Sequence, residues 1–291
     1  MPIYEQNYRS YDGEAWHHFR WLIIVEQEVR VLIKQKKFLV LMIVGLVHLI
    51  LRVLQLVAMD IIAQNPNHPL ALTFKQFDFL SIDQRMFFDF IRFQGPLTVV
   101  LFLLAGSGMI CNDFRNNIME LYFSKPISWR DYALGKIATL TGLGLFLTAI
   151  PALFLMMLHN ILLPGAATFA QTITWVVPTI LFSLLLVIPA ALMVLACSAV
   201  VNSFNYAAVT MLMIIVASAT MGTVLAEMLR APNYQVISLP LAYNRLGQYF
   251  YGMRYPIFEL DWYWPMSIFV AISLISLNLV FRKVRRAEVA P

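Results

Sequence analysis

Six long apolar runs constrain this chain more than any other feature. They fall at about 38–59, 93–111, 133–158, 173–201, 207–228 and 262–281. A hydrocarbon core about 30 Å thick takes roughly 20 residues of helix at 1.5 Å each. Each run is long enough to cross it. Backbone amides in lipid must bond within their own segment, so runs of this length predict helices. The expected fold is an all-α integral membrane protein with six transmembrane helices. Composition agrees, since the 291 residues are 60% hydrophobic and 13% charged. A soluble domain carries about 25% charged residues, and a globule of this size could not bury the apolar excess. The fourth and fifth runs are separated by Asn202-Ser203-Phe204-Asn205, which reads as a tight polar hairpin.

Lys and Arg set the expected orientation, because cytoplasmic loops carry an excess of them. With the N-terminus inside, fourteen cations fall inside: Arg9, Arg20, Arg30, Lys34, Lys36, Lys37, Arg115, Lys125, Arg130, Lys136, Arg282, Lys283, Arg285 and Arg286. Six fall outside: Lys75, Arg85, Arg92, Arg230, Arg245 and Arg254. Arg52 lies within the first run. Both termini are therefore expected in the cytoplasm. The net charge of +5 follows this topological bias and suits anionic lipid rather than nucleic acid. The first 18 residues lack the apolar core of a secretory signal, so no cleavage is expected.

Three further segments attach to the spans. Residues 15–35 carry Phe19, Leu22, Val25, Val29, Leu32 and Ile33 at helical spacing, with Gln27, Arg30 and Lys34 opposite. Beside a basic run and a span, this predicts an in-plane amphipathic helix. Residues 60–92 hold turn signals at Asn65-Pro66-Asn67 and His68-Pro69. Ser81-Ile82-Asp83-Gln84 then resembles a capping box. Residues 230–261 mix Pro232, Pro240 and Pro256 with Tyr234, Tyr243, Tyr249, Phe250, Tyr251 and Tyr255, which predicts short helices at the outer interface. With no repeat or linker, residues 1–291 read as one transmembrane domain.

Enzyme motifs are missing. No Gly-x-x-x-x-Gly-Lys-Ser/Thr occurs, so the chain is expected to bind no nucleotide of its own. It has no His-Glu-x-x-His and no Gly-x-Ser-x-Gly. Cys111 and Cys197 are lone thiols that read as small buried hydrophobes. The His17-His18 pair offers too few ligands for a metal, so no metal or other cofactor is expected. Ionisable residues within spans are functional candidates by default. His48 and Arg52 are four apart and share a face of the first span. Two readings of Arg52 fit: a polar patch lining a cavity, or a side chain snorkelling to the outer headgroups beside Asp60. Small residues at Gly106, Ser107, Gly108, Ala138, Gly142 and Gly144 read as close helix packing.

Between the second and third runs lies a charged segment, residues 112–131, followed by Gly135-Lys136. It reads Asn-Asp-Phe-Arg-Asn-Asn-Ile-Met-Glu-Leu-Tyr-Phe-Ser-Lys-Pro-Ile-Ser-Trp-Arg-Asp. Asp113 and Glu120 are seven apart and expected on one helical face, with Pro126 ending the helix. This stretch resembles the signature region of ABC transporter permeases of the type-2 export class. Those show an acid, Gly-Thr-Leu-Glu, an apolar triplet, Ser-x-Pro-Ile-Ser-Arg, and soon Gly-Lys. Asp113, Glu120, Leu121-Tyr122-Phe123, Ser124, Pro126, Ile127, Ser128 and Gly135-Lys136 match. Asn117 stands for Gly, Ile118 for Thr and Trp129 for Arg. Asn tolerates the left-handed backbone better than most residues, so the first departure is mild.

The resemblance implies a bacterial inner-membrane permease. Its coupling helix would dock on a separate cytoplasmic ATPase, with Asp113, Arg115, Asn117, Glu120, Leu121, Phe123, Ser124, Pro126 and Ile127 as coupling residues. Two permease chains, identical or different, would pair with two ATPase subunits, which hold the ATP and magnesium. Spans rich in Met, Phe and Leu suit a lipophilic or amphipathic cargo. Two other readings remain: a non-transporting anchor that passes ATPase work to an external partner or cofactor-maturation system, and a secondary transporter with its own ion coupling.

Overall fold

The structure is a computed structural model and describes residues 19–64, 82–125, 127–162, 166–253 and 260–289. The described residues form helices and no strand. Six helices are long and apolar enough to cross a membrane. The chain is a multi-pass membrane protein. The turns at 65–69, the Ser81 cap, the His17-His18 pair and Pro126 lie outside the described residues.

In chain order the helices are α1 (Trp21–Ile33), α2 (Lys36–Gln64), α3 (Gln84–Gly106), α4 (Cys111–Arg115), α5 (Ile118–Phe123) and α6 (Trp129–Leu147). There follow α7 (Ala149–Leu162), α8 (Ala166–Val200), α9 (Phe204–Met228), α10 (Leu239–Phe250) and α11 (Tyr263–Val289). A short 3-10 helix, Pro232–Ile237, precedes α10. The candidate spans are α2, then α3 with α4, α6 with α7, α8, α9 and α11.

Local chemistry explains the boundaries. The second span starts at Gln84 rather than near 93, because Asp83 caps it. The Asp83 carboxylate accepts from the amides of Arg85 at 2.9 Å and Met86 at 3.3 Å, satisfying donors that a helix start leaves open. Pro96, Pro178 and Pro189 sit inside α3 and α8, which continue through them. The third span is jointed at Thr148, where the backbone reaches φ −111° and ψ −73°.

Helix α8 is the hub, packing against α3, α6, α7, α9, α10 and α11. In its most apolar stretch 72% of residues are buried, against 11% for α2 and for α9. The last two therefore present apolar faces outward. The core has two parts along the spans. One holds Phe102, Leu140, Tyr132 and Val194 at the end carrying α1, α4 and α5. The other holds Phe87, Phe90, Phe182 and Leu246 toward the opposite end. There α10 folds back onto α8, with Tyr243 stacked on Phe182 at 4.3 Å. The hydroxyls of Tyr251 and Thr179 lie 2.6 Å apart. Gly106 and Gly144 do mark close packing, since a Cβ on either would meet Val194 at 2.6 Å or Phe102 at 2.7 Å. Gly142 departs from that expectation and faces open space.

Candidate functional site: an ion lock beneath the charged segment

Helix α1 lies against the start of α6. Gly135 makes this approach close: a Cβ there would come within 2.7 Å of Ile24 Cβ and 3.0 Å of the Trp21 carbonyl. Ile24, Glu28 and Leu32 are spaced by four and form the face that meets the protein. Ile24 and Leu32 are buried, whereas Phe19, Leu22 and Ile33 of the expected stripe are exposed. The inward face is thus offset from the one the apolar pattern predicted. The apolar side chains of that stripe that stay exposed suit lipid.

Next to Gly135, Lys136 is fully buried. Its ammonium contacts Glu28 Oε1 at 2.5 Å and Asp113 Oδ2 at 2.7 Å. The Tyr132 hydroxyl donates to the same Asp113 oxygen at 2.7 Å. The Tyr132 and Tyr122 rings lie 5.1 and 6.0 Å from the ammonium, so its remaining side meets π faces. One cation therefore ties together α1, α4 and α6, with two carboxylates around it. A buried charge is tolerable only when paired and hydrogen-bonded, and here both conditions hold. Tyr122 lies beyond the spans; burial pushes its phenol up, with Lys136 opposing. It stays neutral and edges onto Tyr132 at 5.3 Å.

Asp113 is positioned by a break in the second span. Between α3 and α4 the helix loosens, and Ser198 from α8 fills the gap. Its hydroxyl accepts from the Ile110 amide at 3.1 Å and the Cys111 amide at 3.0 Å, and donates to the Ser107 carbonyl at 2.8 Å.

The charged segment is two short helices, not one. Asn117 adopts φ 54° and ψ 27° between α4 and α5. This left-handed residue turns the chain, so Asp113 and Glu120 do not share a face. Asp113 is buried in the lock, while Glu120 is exposed. The segment's other members divide likewise. Phe123 and Ile127 are half-buried against the core. Arg115, Asn117, Leu121 and Ser124 are exposed. Helix α5 ends at Phe123, and α6 starts with a capping box between Ser128 and Asp131. There the Ser128 hydroxyl accepts from the Asp131 amide at 3.2 Å, and the Ser128 amide donates to Asp131 Oδ2 at 3.1 Å. The end of α11 leans on this element. Lys283 lies 4.9 Å over the Phe114 ring, and Phe281 meets Trp129 edge-on at 5.3 Å.

His48 and Arg52 do share a face, and it meets α3. His48 stacks on Phe90 at 5.0 Å. Arg52 donates to Gln55 at 2.7 Å and lies within electrostatic reach of Asp89. Asp60 lies within electrostatic reach of His159 on α7.

The sequence pattern does not single out Glu28, Tyr132 or Ser198, and it marks Lys136 only as a cytoplasmic cation and as part of Gly-Lys. Two sequence features belong to the lock, although neither names its partners. Glu28 interrupts an apolar four-residue spacing, and Lys136 falls inside a predicted span. No protein-family model and no curated protein matches this chain.

Proposed function

We propose that this chain is the membrane-spanning subunit of an ATP-driven exporter of the ABC type-2 class. It would work as a pair of permease chains with a pair of separate cytoplasmic ATPase subunits, in a bacterial inner membrane. Helices α4 and α5 would be the coupling element, and the cargo would be lipophilic or amphipathic.

The observation that carries this reading is the Glu28–Lys136–Asp113 lock. A coupling element must have one face open to a partner and the other held rigidly to the spans. Glu120 and Leu121 supply the open face. The lock supplies the rigid one, because Asp113 cannot move without pulling on Lys136 in α6 and Glu28 in α1. Closure of the ATPase pair on ATP would displace α4 and α5 together with the first turns of the third span. ATP would provide the differential affinity between states that such a change needs.

The test is reconstitution of the chain with its candidate ATPase in vesicles. Glu120→Arg is expected to lower ATP-coupled flux while membrane abundance stays constant. Glu227→Arg, exposed at the far end of α9, is the control and should keep wild-type flux. Equal flux in both variants, or ATP turnover by the isolated chain, would sink the proposal.

A further inference from the structure

A cavity of about 340 Å³ lies between α7 and the first turns of α8, at the end of the molecule opposite the lock. Its walls are residues three and four apart on each helix, so one face of each lines it. The volume falls in the range of small-molecule sites, roughly 300–1,000 Å³. Met157, Ile161, Phe169 and Ile173 are exposed and form its rim. They sit close to where the third span ends and the fourth begins, so the rim opens onto hydrocarbon near the headgroups. Met156 and Thr172 close the inner wall and are buried. The Thr172 hydroxyl donates to the Thr168 carbonyl at 2.8 Å, so toward the cavity it can only accept. Asn160 Oδ1 is buried and has no hydrogen-bond partner among the described residues. No ionisable side chain lines the cavity among those residues. The neighbouring His159 lies within electrostatic reach of Asp60 and is not part of the wall.

We infer that this cavity binds one uncharged lipid-like molecule, an aliphatic chain ending in a hydroxyl, which enters sideways from the bilayer and donates to Asn160 Oδ1. Each part of that description has a cause. The apolar walls call for an aliphatic chain. A rim that opens onto hydrocarbon admits a molecule already dissolved in the membrane. The two acceptors, Asn160 Oδ1 and Thr172 Oγ1, call for a donor, and an unmatched buried acceptor is costly. A charged head would be buried there without a counter-charge, which excludes a phosphate, a carboxylate or an ammonium. A helix face from a second copy of the chain would cover the rim but leave the recessed Asn160 acceptor unmatched. The inference is independent of the exporter reading, since it needs no ATPase and no residue of the lock.

Native mass spectrometry of the full chain in detergent reads both bound ligand and the number of chains. Oleyl alcohol is the probe. Oleyl methyl ether, with the same chain and no donor, is the comparison. One oleyl alcohol should bind per chain, saturably, with the ether about tenfold weaker for want of one buried hydrogen bond. Asn160→Leu should lower the alcohol to the ether's affinity and leave the ether unchanged. Val176→Trp, which fills the cavity from α8, should abolish binding of both. Met157→Trp, at the exposed rim, repeats that test if Val176→Trp lowers the melting temperature. Equal affinity of alcohol and ether in the wild type would overturn the assigned hydrogen bond. Binding that never saturates, or that ignores both tryptophan variants, would be general lipid adhesion and would overturn the site. A dimer that takes up no oleyl alcohol and dissociates in Met157→Trp would give the rim to a second copy and overturn it as well.

Discussion

Lys136 and Glu28 are 108 positions apart in the chain, and their charged atoms lie 2.5 Å apart. This contact joins the amphipathic first helix to the third span at the level where Gly135 brings their backbones together. Asp113 completes it from the second span. One side chain thereby fixes the relative placement of three elements that the hydropathy pattern leaves independent.

Lys136→Met should be the most damaging single change here. It leaves Glu28 and Asp113 facing each other without a cation, and removing one member of a buried pair costs about 3–5 kcal/mol. Thermal unfolding in detergent should register the loss. Adding Glu28→Gln and Asp113→Asn should recover much of it, since an uncharged set needs no cation. Recovery of stability without recovery of ATP-coupled flux would separate the mechanical role of the lock from its structural one. A triple variant no more stable than Lys136→Met would contradict this account.

Asn117 gives a sharper local test. Its φ of 54° is a region that glycine enters freely and β-branched residues do not. Asn117→Gly should leave the melting temperature near wild type. Asn117→Val should destabilise by about 1–3 kcal/mol and re-aim Glu120 and Leu121. Equal melting temperatures for the two variants would mean that the turn is not held in this conformation.

What was legible in the sequence follows from what local pattern encodes. A run of apolar residues long enough to cross a bilayer has few folded outcomes, so all six spans were readable from hydropathy alone. Asn117 was readable as a residue tolerant of the left-handed backbone, but the break it makes was not inferred. Asp113 and Glu120 were consequently placed on one face of a single helix. The lock was hidden for a different reason: ion pairing across 108 residues leaves no periodicity. Ser198 was invisible because serine in an apolar run usually bonds its own helix, and only the packed structure shows it serving another.

Ser198→Ala should loosen the joint between α3 and α4. The hydroxyl serves two amides and one carbonyl in a fully buried position. Leaving those groups unsatisfied costs about 1–3 kcal/mol. Maleimide labelling of buried Cys111, whose amide Ser198 holds, should accelerate in the variant. Unchanged labelling and melting temperature would show that other groups satisfy these amides.

Topology is open to direct measurement. The Lys and Arg bias predicts that α4, α5 and both termini lie in the cytoplasm. Single cysteines introduced at Gln248 or Tyr249 should react with an impermeant thiol reagent added outside intact cells. Cysteines at Asn116 or Lys125 should react only after permeabilisation. External labelling at Asn116 would falsify the six-span orientation, and the coupling assignment with it.

Arg52 distinguishes a working polar patch from a snorkelling cation. Its guanidinium bonds Gln55 at 2.7 Å and senses Asp89 on α3, so it turns toward protein rather than only toward headgroups. His48, one turn away, stacks on Phe90 of the same helix. These contacts place a charged seam between the first and second spans. Arg52→Leu removes the cation from that seam while keeping an apolar side chain. Flux should fall with membrane abundance unchanged, because Asp89 retains Arg92 at 3.8 Å and the helices stay packed. Arg52→Lys keeps the charge and loses the planar fork. Partial flux in the lysine variant would show that charge alone carries part of the role, and loss equal to leucine would show that the fork does. Wild-type flux in Arg52→Leu would assign the residue to headgroup anchoring and remove the seam from the transport path.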